Sequence, residues 1–481
     1  MPRRTKIVAT LGPATDTPEM MDAIIAAGVD VVRLNLSHDT HDRHRERLRL
    51  VRERARIAGK DLTVLLDLQG PKIRIGRFQD GAIQLANGDA FAIDAGCPLT
   101  DGDQTRVGTT YPELADDVRP GDILLLDDGA IELQAQAVSK ERIDCTVVVG
   151  GKLSNNKGIN KKGGGLSAPA LTDKDREDIS LAAELEADYL AVSFVRSAAD
   201  VHQTRELLRA AGGRGGIVAK IERAEALTVV DEIIEASDVI MVARGDLGVE
   251  IGDARLPAVQ KQLISRARTL NRVVITATQM MQSMIDNPIP TRAEVFDVAN
   301  AVLDGTDAVM LSAESSVGRF PAQVVEALDR ICTEAERRIT RSGHRIDCIF
   351  EQVDEAIAMA TMYTANHLGV KAIGALTKTG STVRWMSRIS SGIPIYAMTS
   401  DPETRRKMGI LRGVYPIHFD AASKNVHEIN MEMVDDLKSS GTVQDGDLVI
   451  ITKNDRSGVA GQTNLMKIMR VGEHRRMVQN P

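Results

Sequence analysis

Charged side chains follow apolar runs at two neighbouring places in the 481-residue chain. In residues 217–222 (IVAKIE), a strand period of two places Lys220 and Glu222 on the same face, near the end of the run. The next apolar run ends in MVARGDLG, which puts Asp246 in a loop beside Gly245, where a ligand can approach the bare backbone. We therefore expect Glu222 and Asp246 to hold one hard divalent cation, Mg²⁺ by preference with Mn²⁺ as a substitute. The alternative is a structural ion pair between Lys220 and Glu222.

Two other apolar runs also end in polar residues. In VVRLNLS, the alternation places Arg33, Asn35 and Ser37 on one face. Asp67 closes a further run, and Arg74 follows it in GPKIR. Two guanidinium groups beside a metal and its carboxylates suit a phosphoryl group, which arginine binds bidentately. Taken singly, each of these is more often a surface or structural residue.

A fifth set of polar residues lies in VVITATQM, where Thr276 and Thr278 occupy alternate positions at the end of a run. Either hydroxyl could donate a proton or orient water, and the alternative for Thr276 is a threonine chosen for strand propensity. The chain contains no GxxxxGK[ST] motif, no HExxH and no nucleophile elbow. Nucleotide binding, if present, must therefore use another design.

Eight apolar runs must position these side chains. They alternate with helical stretches and cover residues 7–11, 31–36, 64–68, 190–195, 217–221, 239–242, 273–275 and 308–311. Continuous apolar strands between helices indicate a parallel sheet buried on both faces, and eight repeats favour a closed barrel. The fold class predicted is α/β, a (β/α)8 TIM barrel, with active-site residues just after its strands.

The pattern changes between the third and fourth runs. Residues 70–166 contain short β-like segments and many Asp-Gly and Gly-Asp pairs, which are turn signals. We expect an inserted small β-barrel domain that acts as a lid, with glycines 163–165 as its hinge; a flexible linker is the alternative for these glycines. A helical stretch at 353–368 and apolar runs at 372–376, 395–398 and 448–451 predict a C-terminal open α/β domain.

These patterns predict three domains: a barrel at 1–69 and 167–341, a lid at 70–166 and a third domain at 342–481.

The net charge of −7 argues against nucleic acid or an anionic membrane as a partner. The Arg-rich stretch 43–56 has apolar residues at helical spacing, which favours a solvated amphipathic helix over a nucleic-acid site. Four widely spaced cysteines without a CxxC pair predict reduced thiols in the cytoplasm. The apolar run near the N-terminus is too short for a signal peptide or a membrane span.

Several long segments occur in one order along almost the whole chain and resemble the pyruvate kinase family. They are RLNLSH, LDLQGPKIR, AKIE, MVARGDLGVE, TATQMMQSM and PTRAEVFDVANAVLDG. The resemblance implies a cytoplasmic glycolytic enzyme that transfers the phosphoryl group of phosphoenolpyruvate to ADP, giving pyruvate and ATP. It also implies a barrel domain, a β-barrel lid, a C-terminal effector-binding domain and a homotetramer.

The resemblance assigns a role to each matching residue. Lys220 would stabilise the charge that develops during transfer and on the enolate of pyruvate, and Glu222 with Asp246 would hold the divalent metal. The substrate carboxylate would meet Gly245, Asp246 and Thr278, with Thr278 near the face of the enolate that is protonated. The phosphoryl group would be bound by Arg33 and Arg74. The nucleotide side would comprise Asn35, Ser37, His38, Arg74 and Lys174, and ATP would bring a second Mg²⁺.

The chain departs from the family pattern at a monovalent-cation site. Many relatives bind K⁺ through counterparts of Asn35, Ser37 and Asp67 and a threonine where this chain has Leu68, and they carry glutamate where it has Lys72. An oxygen ligand is lost and a cation is gained. Because a lysine ammonium is a compact point charge, we expect Lys72 to replace K⁺ and activity to be independent of K⁺.

A loop in the C-terminal region matches the family's effector loop. Its hydroxyls, lysine and glycine could hold a phosphate against backbone amides, and its residues are Thr377, Lys378, Thr379, Gly380, Ser381 and Thr382. Arg456 is a candidate partner on a second loop. We expect activation by a sugar phosphate; a simple helix-capping loop is the alternative.

Two other functions compete with this interpretation. A metal-dependent lyase or aldolase that works through pyruvate enolate would also use two carboxylates, but it would need neither Arg33 and Arg74 nor the lid. A non-catalytic scaffold on the same fold would not need Lys220, Glu222, Asp246 and Thr278 together, and these are all present.

Overall fold

The computed structural model describes residues 2–337, 350–389, 391–422, 424–455 and 463–473. The chain begins with three parallel strands and two helices: β1 (Lys6–Thr10), α1 (Pro18–Ala27), β2 (Val31–Asn35), α2 (His41–Ile57) and β3 (Thr63–Asp67). Helix α1 begins where Thr17 accepts a hydrogen bond from the amide of Met20, and Pro18 fixes its first turn. The Arg-rich stretch is helix α2, as predicted, with Leu48 and Val51 buried against the barrel.

After β3 the chain leaves the barrel and forms an insertion that is mainly β, as predicted, but its strands form two sheets and not the closed small β-barrel that was expected. Its elements are β4 (Ala82–Leu85), β5 (Ala90–Asp94), β6 (Arg106–Val107), α3 (Leu114–Asp117), β7 (Ile123–Leu126), β8 (Ile131–Val138), β9 (Arg142–Val149), β10 (Gly151–Ser154) and β11 (Ile159–Lys161). A six-stranded sheet in the order β11-β7-β8-β9-β5-β6 and a two-stranded sheet of β10 and β4 share one apolar core. Gly88 and Gly129, from two of the predicted turn pairs, both take a positive φ that favours glycine.

The barrel then resumes with alternating helices and strands. These are α4 (Asp173–Glu184), β12 (Tyr189–Val192), α5 (Ala198–Ala210), β13 (Gly216–Ile221), α6 (Val230–Ala236), β14 (Val239–Ala243), α7 (Arg244–Ile251), α8 (Leu256–Thr269), β15 (Val273–Ala277), α9 (Arg292–Asp304), β16 (Ala308–Leu311), α10 (Ala313–Ser316) and α11 (Pro321–Arg337). Strand β3 pairs with β12 across the insertion, and β16 pairs with β1 to close the sheet. All eight predicted barrel strands are confirmed.

Alternate residues of each barrel strand face opposite layers, because successive side chains point to opposite sides of a strand. Val32, Leu34 and Leu36 join the core between the sheet and the helices. Val31, on the other face of the same strand, joins the core inside the barrel. The polar face predicted for Arg33, Asn35 and Ser37 therefore continues the inward row, at its carboxyl end.

Aspartates brace the opposite, amino-terminal floor of the barrel. An aspartate directly precedes β2, β12, β14 and β16, and each accepts a hydrogen bond from a backbone amide of the preceding barrel strand. The four pairs are Ile7 N to Asp30 at 2.9 Å, Val64 N to Asp188 at 2.9 Å, Ile217 N to Asp238 at 2.8 Å and Val274 N to Asp307 at 2.9 Å. These bonds join the eight strands into four braced pairs.

The C-terminal region is an α/β domain that packs on this floor. It consists of α12 (Val353–Leu368), β17 (Ala372–Leu376), α13 (Ser381–Arg388), β18 (Ile395–Thr399), α14 (Pro402–Met408), β19 (Val414–His418), α15 (Val426–Ser439), β20 (Leu448–Lys453) and β21 (Leu465–Arg470), with strand order β19-β18-β17-β20-β21. Strands β19 and β21 were not predicted. Two of the bracing aspartates bind this domain, Asp307 through Arg388 and Asp188 through Arg406.

The predicted domain boundaries stay predictions, and the one at 341/342 lies outside the described residues. Within the described part of the chain, no helix combines the length and apolar character needed to cross a bilayer.

Candidate active site

The carboxyl ends of the barrel strands and the first residues of the insertion enclose a cleft of about 220 Å³. Most of the predicted site residues line it together: Arg33, Asn35, Ser37, His38, Lys72, Arg74, Lys220, Glu222, Asp246 and Thr278. Asp67 lies beneath the cleft and is fully buried. Parallel strands deliver their carboxyl ends to one face, which explains why residues distant in sequence meet here.

Lys220 is the centre of a buried charge cluster. Its ammonium lies 2.9 Å from Glu222 Oε1 and 3.4 Å from Asp67 Oδ1, and it donates a hydrogen bond of 2.7 Å to Ser193 Oγ. Burial by itself would lower the pKa of Lys220, but the charges of Asp67 and Glu222 outweigh burial and raise it. Lys220 is therefore a fixed positive charge at the cleft.

Arg33 provides a second cation beside Lys220. Its Nε lies 2.7 Å from Asp67 Oδ2, and its Nη1 donates a hydrogen bond of 2.9 Å to Thr10 Oγ1. Burial would raise the pKa of Asp67, yet Lys220 and Arg33 hold it below its usual value. One ionised aspartate thus orients two cations, which leaves positive charge facing the cleft for an anionic group.

Glu222 and Asp246 are suited to hold a cation. Glu222 Oε2 accepts a hydrogen bond of 2.7 Å from the amide of Phe194. Burial, together with the negative charge of Asp246, raises the pKa of Glu222, although the positive charge of Lys220 acts to lower it. Asp246 Oδ1 already attracts the Lys72 ammonium, at 3.3 Å. In the described ranges no three His, Cys, Asp or Glu side chains group as metal ligands, so an ion bound here takes its remaining ligands from water or substrate, an arrangement that Mg²⁺ accepts.

Thr278 occupies an unusual backbone conformation at the end of β15. Its φ is +67°, and the φ of Gln279 is +53°, so two consecutive non-glycine residues are left-handed. Such residues cost about 1–3 kcal/mol each and persist only where surrounding contacts hold them. Thr278 Oγ1 accepts a hydrogen bond of 2.8 Å from the amide of Gly245 and donates one of 2.6 Å to the carbonyl of Ala277. The predicted pair of Gly245 and Thr278 is therefore in direct contact.

The residues predicted for the nucleotide side are less uniformly placed. Asn35, Ser37 and His38 line the cleft, and Arg74 lines it while donating to the carbonyl of Asn156 in the insertion at 2.9 Å. Lys174 is not among the lining residues. Its ammonium lies 2.6 Å from Asp178 and donates to the carbonyl of Leu36 at 2.8 Å.

Comparison with known proteins agrees with this geometry. Residues 2–325 match the model of the pyruvate kinase barrel domain, and residues 355–469 match that of the pyruvate kinase alpha/beta domain. The chain belongs to the pyruvate kinase family. As a member of this family it is an enzyme, a phosphotransferase.

Individual relatives align over nearly the whole chain. Pyruvate kinase II of Salmonella typhimurium is 54% identical over 475 residues, which cover 98% of this chain and 99% of that protein. Pyruvate kinase of Haemophilus influenzae is 53% identical over 474 residues, with 97% and 98% covered. Pyruvate kinase of Mycobacterium tuberculosis strain H37Rv is 42% identical over 476 residues, with 98% and 99% covered.

Three residues that sequence reasoning missed support the cleft. Ser193 bridges Lys220 and the carbonyl of Leu68, to which its hydroxyl donates at 2.8 Å. Phe194 turns its amide toward Glu222 from a left-handed backbone with φ +56°. Arg244 contacts the carbonyl of Thr278. Their position just after β12 and β14 was a usable signal, because barrel sites form at strand ends.

The predicted effector loop precedes α13. Gly380, with φ +81°, donates its amide to Thr377 Oγ1 at 2.9 Å, and Ser381 donates to Asp354 at 2.6 Å. Thr382 is buried and bonds Thr463 at 2.8 Å, whereas Lys378 and Thr379 are exposed. Arg456, the predicted partner, lies outside the described residues.

Glu250, at the end of α7, binds the segment through which the insertion returns to the barrel. The carbonyl of Glu250 accepts a hydrogen bond of 3.0 Å from Gly163, in the predicted hinge, and its carboxylate accepts one of 2.7 Å from the amide of Ala224. Burial, with a smaller effect from the charge of Glu225, raises the pKa of Glu250 to about 7. The ionised carboxylate is therefore disfavoured in the folded protein.

This shift predicts a pH-dependent stability difference for Glu250→Gln. The folded state keeps the Glu250 proton up to about pH 7, whereas the unfolded state loses it near the ordinary value of 4.5. Because the unfolded state binds fewer protons in that window, wild-type stability falls as pH rises through it. Glutamine does not ionise. The free energy of unfolding of Glu250→Gln, relative to that of wild type, should therefore rise with pH by at most about 1.4 kcal/mol per pH unit and level off above pH 7.

Urea unfolding of both proteins at matched pH values measures this difference. The exposed Glu177→Gln is the control and should follow the wild-type pH dependence. A stability difference between Glu250→Gln and wild type that does not change with pH would contradict the assignment.

Proposed function

We propose that the cleft transfers the phosphoryl group of phosphoenolpyruvate to ADP, giving pyruvate and ATP in the last step of glycolysis. The observation that carries this proposal is the Lys220 ammonium held between Glu222 and Asp67, in the cleft that Arg33 and Asp246 also line. Phosphoryl transfer needs reactants in line and developing charge neutralised more than it needs covalent chemistry. A cleft with fixed cations beside two carboxylates supplies both.

The substrate phosphoryl group would bind Arg33 and Arg74. Lys220 would stabilise the negative charge that forms on the bridging oxygen as pyruvate enolate leaves. Because Asp67 and Glu222 keep Lys220 charged and immobile, it needs no reorganisation during the reaction. This is the electrostatic contribution with the greatest weight in the proposal.

Glu222 and Asp246 would hold Mg²⁺, for which Mn²⁺ can substitute. When bound, this ion neutralises charge on the transferred phosphoryl group and on the substrate carboxylate. The substrate carboxylate would also meet the segment of Gly245 and Thr278, and the Thr278 hydroxyl would pass its proton to the enolate carbon while it takes one from water in the cleft. The contact between the Gly245 amide and Thr278 Oγ1 supports these paired roles.

The nucleotide would lie along Asn35, Ser37 and His38, with Arg74 and Lys174 at its phosphates and a second Mg²⁺. The lyase or aldolase alternative leaves Arg33 unexplained, because its guanidinium would have no phosphoryl group to bind. A scaffold would leave the buried charges of Lys220 and Glu222 without a function, and such charges are costly.

Lys220→Met tests the main proposal. Losing the fixed charge should lower kcat by about a thousandfold while changing the KM for ADP little. The measurement is ATP formation from phosphoenolpyruvate and ADP in a coupled assay, with the exposed Lys140→Met as the control for lysine removal. Wild-type protein that forms no ATP but cleaves a pyruvate-derived aldol would favour the alternative enzyme.

The position of Lys72 supports activity that is independent of K⁺. Its ammonium lies 3.3 Å from Asp246 and lines the cleft with Asn35 and Ser37, the counterparts of K⁺ ligands. Leu68 contributes no side-chain oxygen, and its carbonyl is engaged by Ser193. A tethered cation would thus occupy the region where other members bind a free one.

Exchange of K⁺ for tetramethylammonium should change wild-type activity by less than about twofold, because Lys72 supplies the cation. Lys72→Glu should create a dependence on K⁺ of about tenfold or more, since it removes the cation and adds a negative charge. Lys72→Met is the control that removes charge without reversing it. Strong activation of wild type by K⁺ would refute the proposal.

A sugar phosphate is the proposed effector, bound by the loop Thr377–Thr382. The exposed Lys378 and the backbone turn at Gly380, which begins α13, support an anion site. The carboxylate of Asp354 bonds Ser381, so a phosphate would have to displace this bond.

Titration of candidate sugar phosphates at subsaturating phosphoenolpyruvate tests the effector. We expect at least one to raise the velocity by about threefold or more. Lys378→Met should raise the concentration of that compound needed for half-maximal activation about tenfold. Asp354→Asn should lower this concentration, because a carboxylate that repels the phosphate is removed. Unchanged velocity with every compound would support the helix-capping interpretation.

We also propose a cytoplasmic homotetramer. Phe296 and Leu303, seven residues apart on α9, are 70% and 51% exposed and form an apolar stripe suited to a subunit contact. The cytoplasmic location rests on the widely spaced cysteines, of which Cys97, Cys145 and Cys332 are free thiols. No nucleic acid or membrane partner is proposed.

A further inference from the structure

The left-handed pair Thr278 and Gln279 needs an external support. A β-branched residue such as Thr278 is a genuine outlier at positive φ, because its Cβ crowds the backbone. Gln279 is exposed, so its own side chain cannot compensate by packing. Contacts to the backbone of this turn must therefore maintain it.

Arg244 supplies such contacts from the first turn of α7. Its Nη2 donates to the carbonyl of Thr278 at 2.7 Å, and its Nε lies 3.2 Å from the carbonyls of Ala277 and Thr278. The side chain is almost fully buried, and its far end is fixed by Asp297 on α9, at 2.7 Å from Nη1. The guanidinium thus binds the turn through its backbone and leaves the Thr278 hydroxyl free of contact with it.

We propose that Arg244 is a positioning residue that holds Thr278 in its left-handed conformation and so aims the Thr278 hydroxyl at the reacting carbon. The inference rests on the proposed function of Thr278 as proton donor. Arg244 itself touches no substrate atom in this account. It acts through the carbonyls that it binds.

The location of Arg244 explains why this support sits here. Arg244 directly precedes Gly245 and Asp246, so one residue joins the segment proposed to hold the metal to the segment proposed to hold the proton donor. The Gly245 amide makes the second link, to Thr278 Oγ1 at 2.8 Å. Both links fix the distance between the substrate carboxylate and the proton source.

A glycine rescue distinguishes positioning from a general structural role. Arg244→Gln removes the guanidinium N–H groups that bind the carbonyls of the turn. Gln279→Gly relieves the backbone strain in the same turn, because glycine adopts positive φ without a Cβ penalty. The experiment compares wild type, each single variant and the double variant. It measures kcat and KM with phosphoenolpyruvate and ADP, deuterium exchange into the pyruvate methyl group, and the thermal midpoint.

We expect Arg244→Gln to lower kcat about a hundredfold, with a smaller change in the KM for ADP, because misplacing a reacting group has effects of this size. Methyl exchange should fall in parallel. Gln279→Gly alone should stay within about twofold of wild type, and the double variant should regain about fivefold or more of the lost kcat. The glycine should also raise the thermal midpoint more in the Arg244→Gln background than in wild type.

Additive effects, with no recovery of kcat or midpoint by glycine, would overturn the proposal. If Arg244→Gln does not fold, Arg244→Lys and Asp297→Asn test the same point, since each weakens the support without removing its bulk. If wild type forms no ATP, the proposed function fails, and the thermal midpoints still decide whether Arg244 supports the turn. Rescue of the midpoint without rescue of kcat would limit Arg244 to stability and reject its positioning role.

Discussion

An ammonium can be buried only where carboxylates surround it, and the site of this protein is organised around that requirement. Lys220 comes from β13, Glu222 follows it, and Asp67 arrives from the end of β3. Arg33 on β2 forms an ion pair with the same Asp67. Removing any one of these charges would leave the others uncompensated in a buried site. The cluster therefore forms only when the strands close in their observed register.

The register is fixed at the opposite end of the barrel. Asp30, Asp188, Asp238 and Asp307 each bind the amide of the preceding barrel strand, so pairs of strands are aligned far from the chemistry. Asp307 also forms a buried ion pair with Arg388 of the C-terminal domain. The amino-terminal floor of the barrel thus stabilises the fold and binds the C-terminal domain. The carboxyl ends of the strands can then hold strained and charged groups that would otherwise destabilise the fold.

The same division explains how far the sequence alone could lead. The period of two in IVAKIE predicts that Lys220 and Glu222 share a face, and the apolar runs predict the eight strands, because both are local properties. The supports of the site are different. Phe194 acts through a left-handed backbone, and Arg244 acts on a carbonyl in another loop. Their position at strand ends marks them as candidates, but no local pattern predicts the backbone handedness of a non-glycine residue or a contact with a partner distant in sequence.

The two connections of the β insertion converge on one short helix, which joins the insertion to the segment proposed to hold the metal. Lys72, on the outgoing connection, reaches Asp246 in the first turn of α7. Gly163, on the returning connection, donates its amide to the carbonyl of Glu250 in the last turn of that helix. This helix has eight residues and is only about 12 Å long, so the two contacts lie close together. Movement of the insertion must therefore either break one of them or carry the Asp246 carboxylate with it, so the position of the insertion and the geometry of the proposed cation site are coupled.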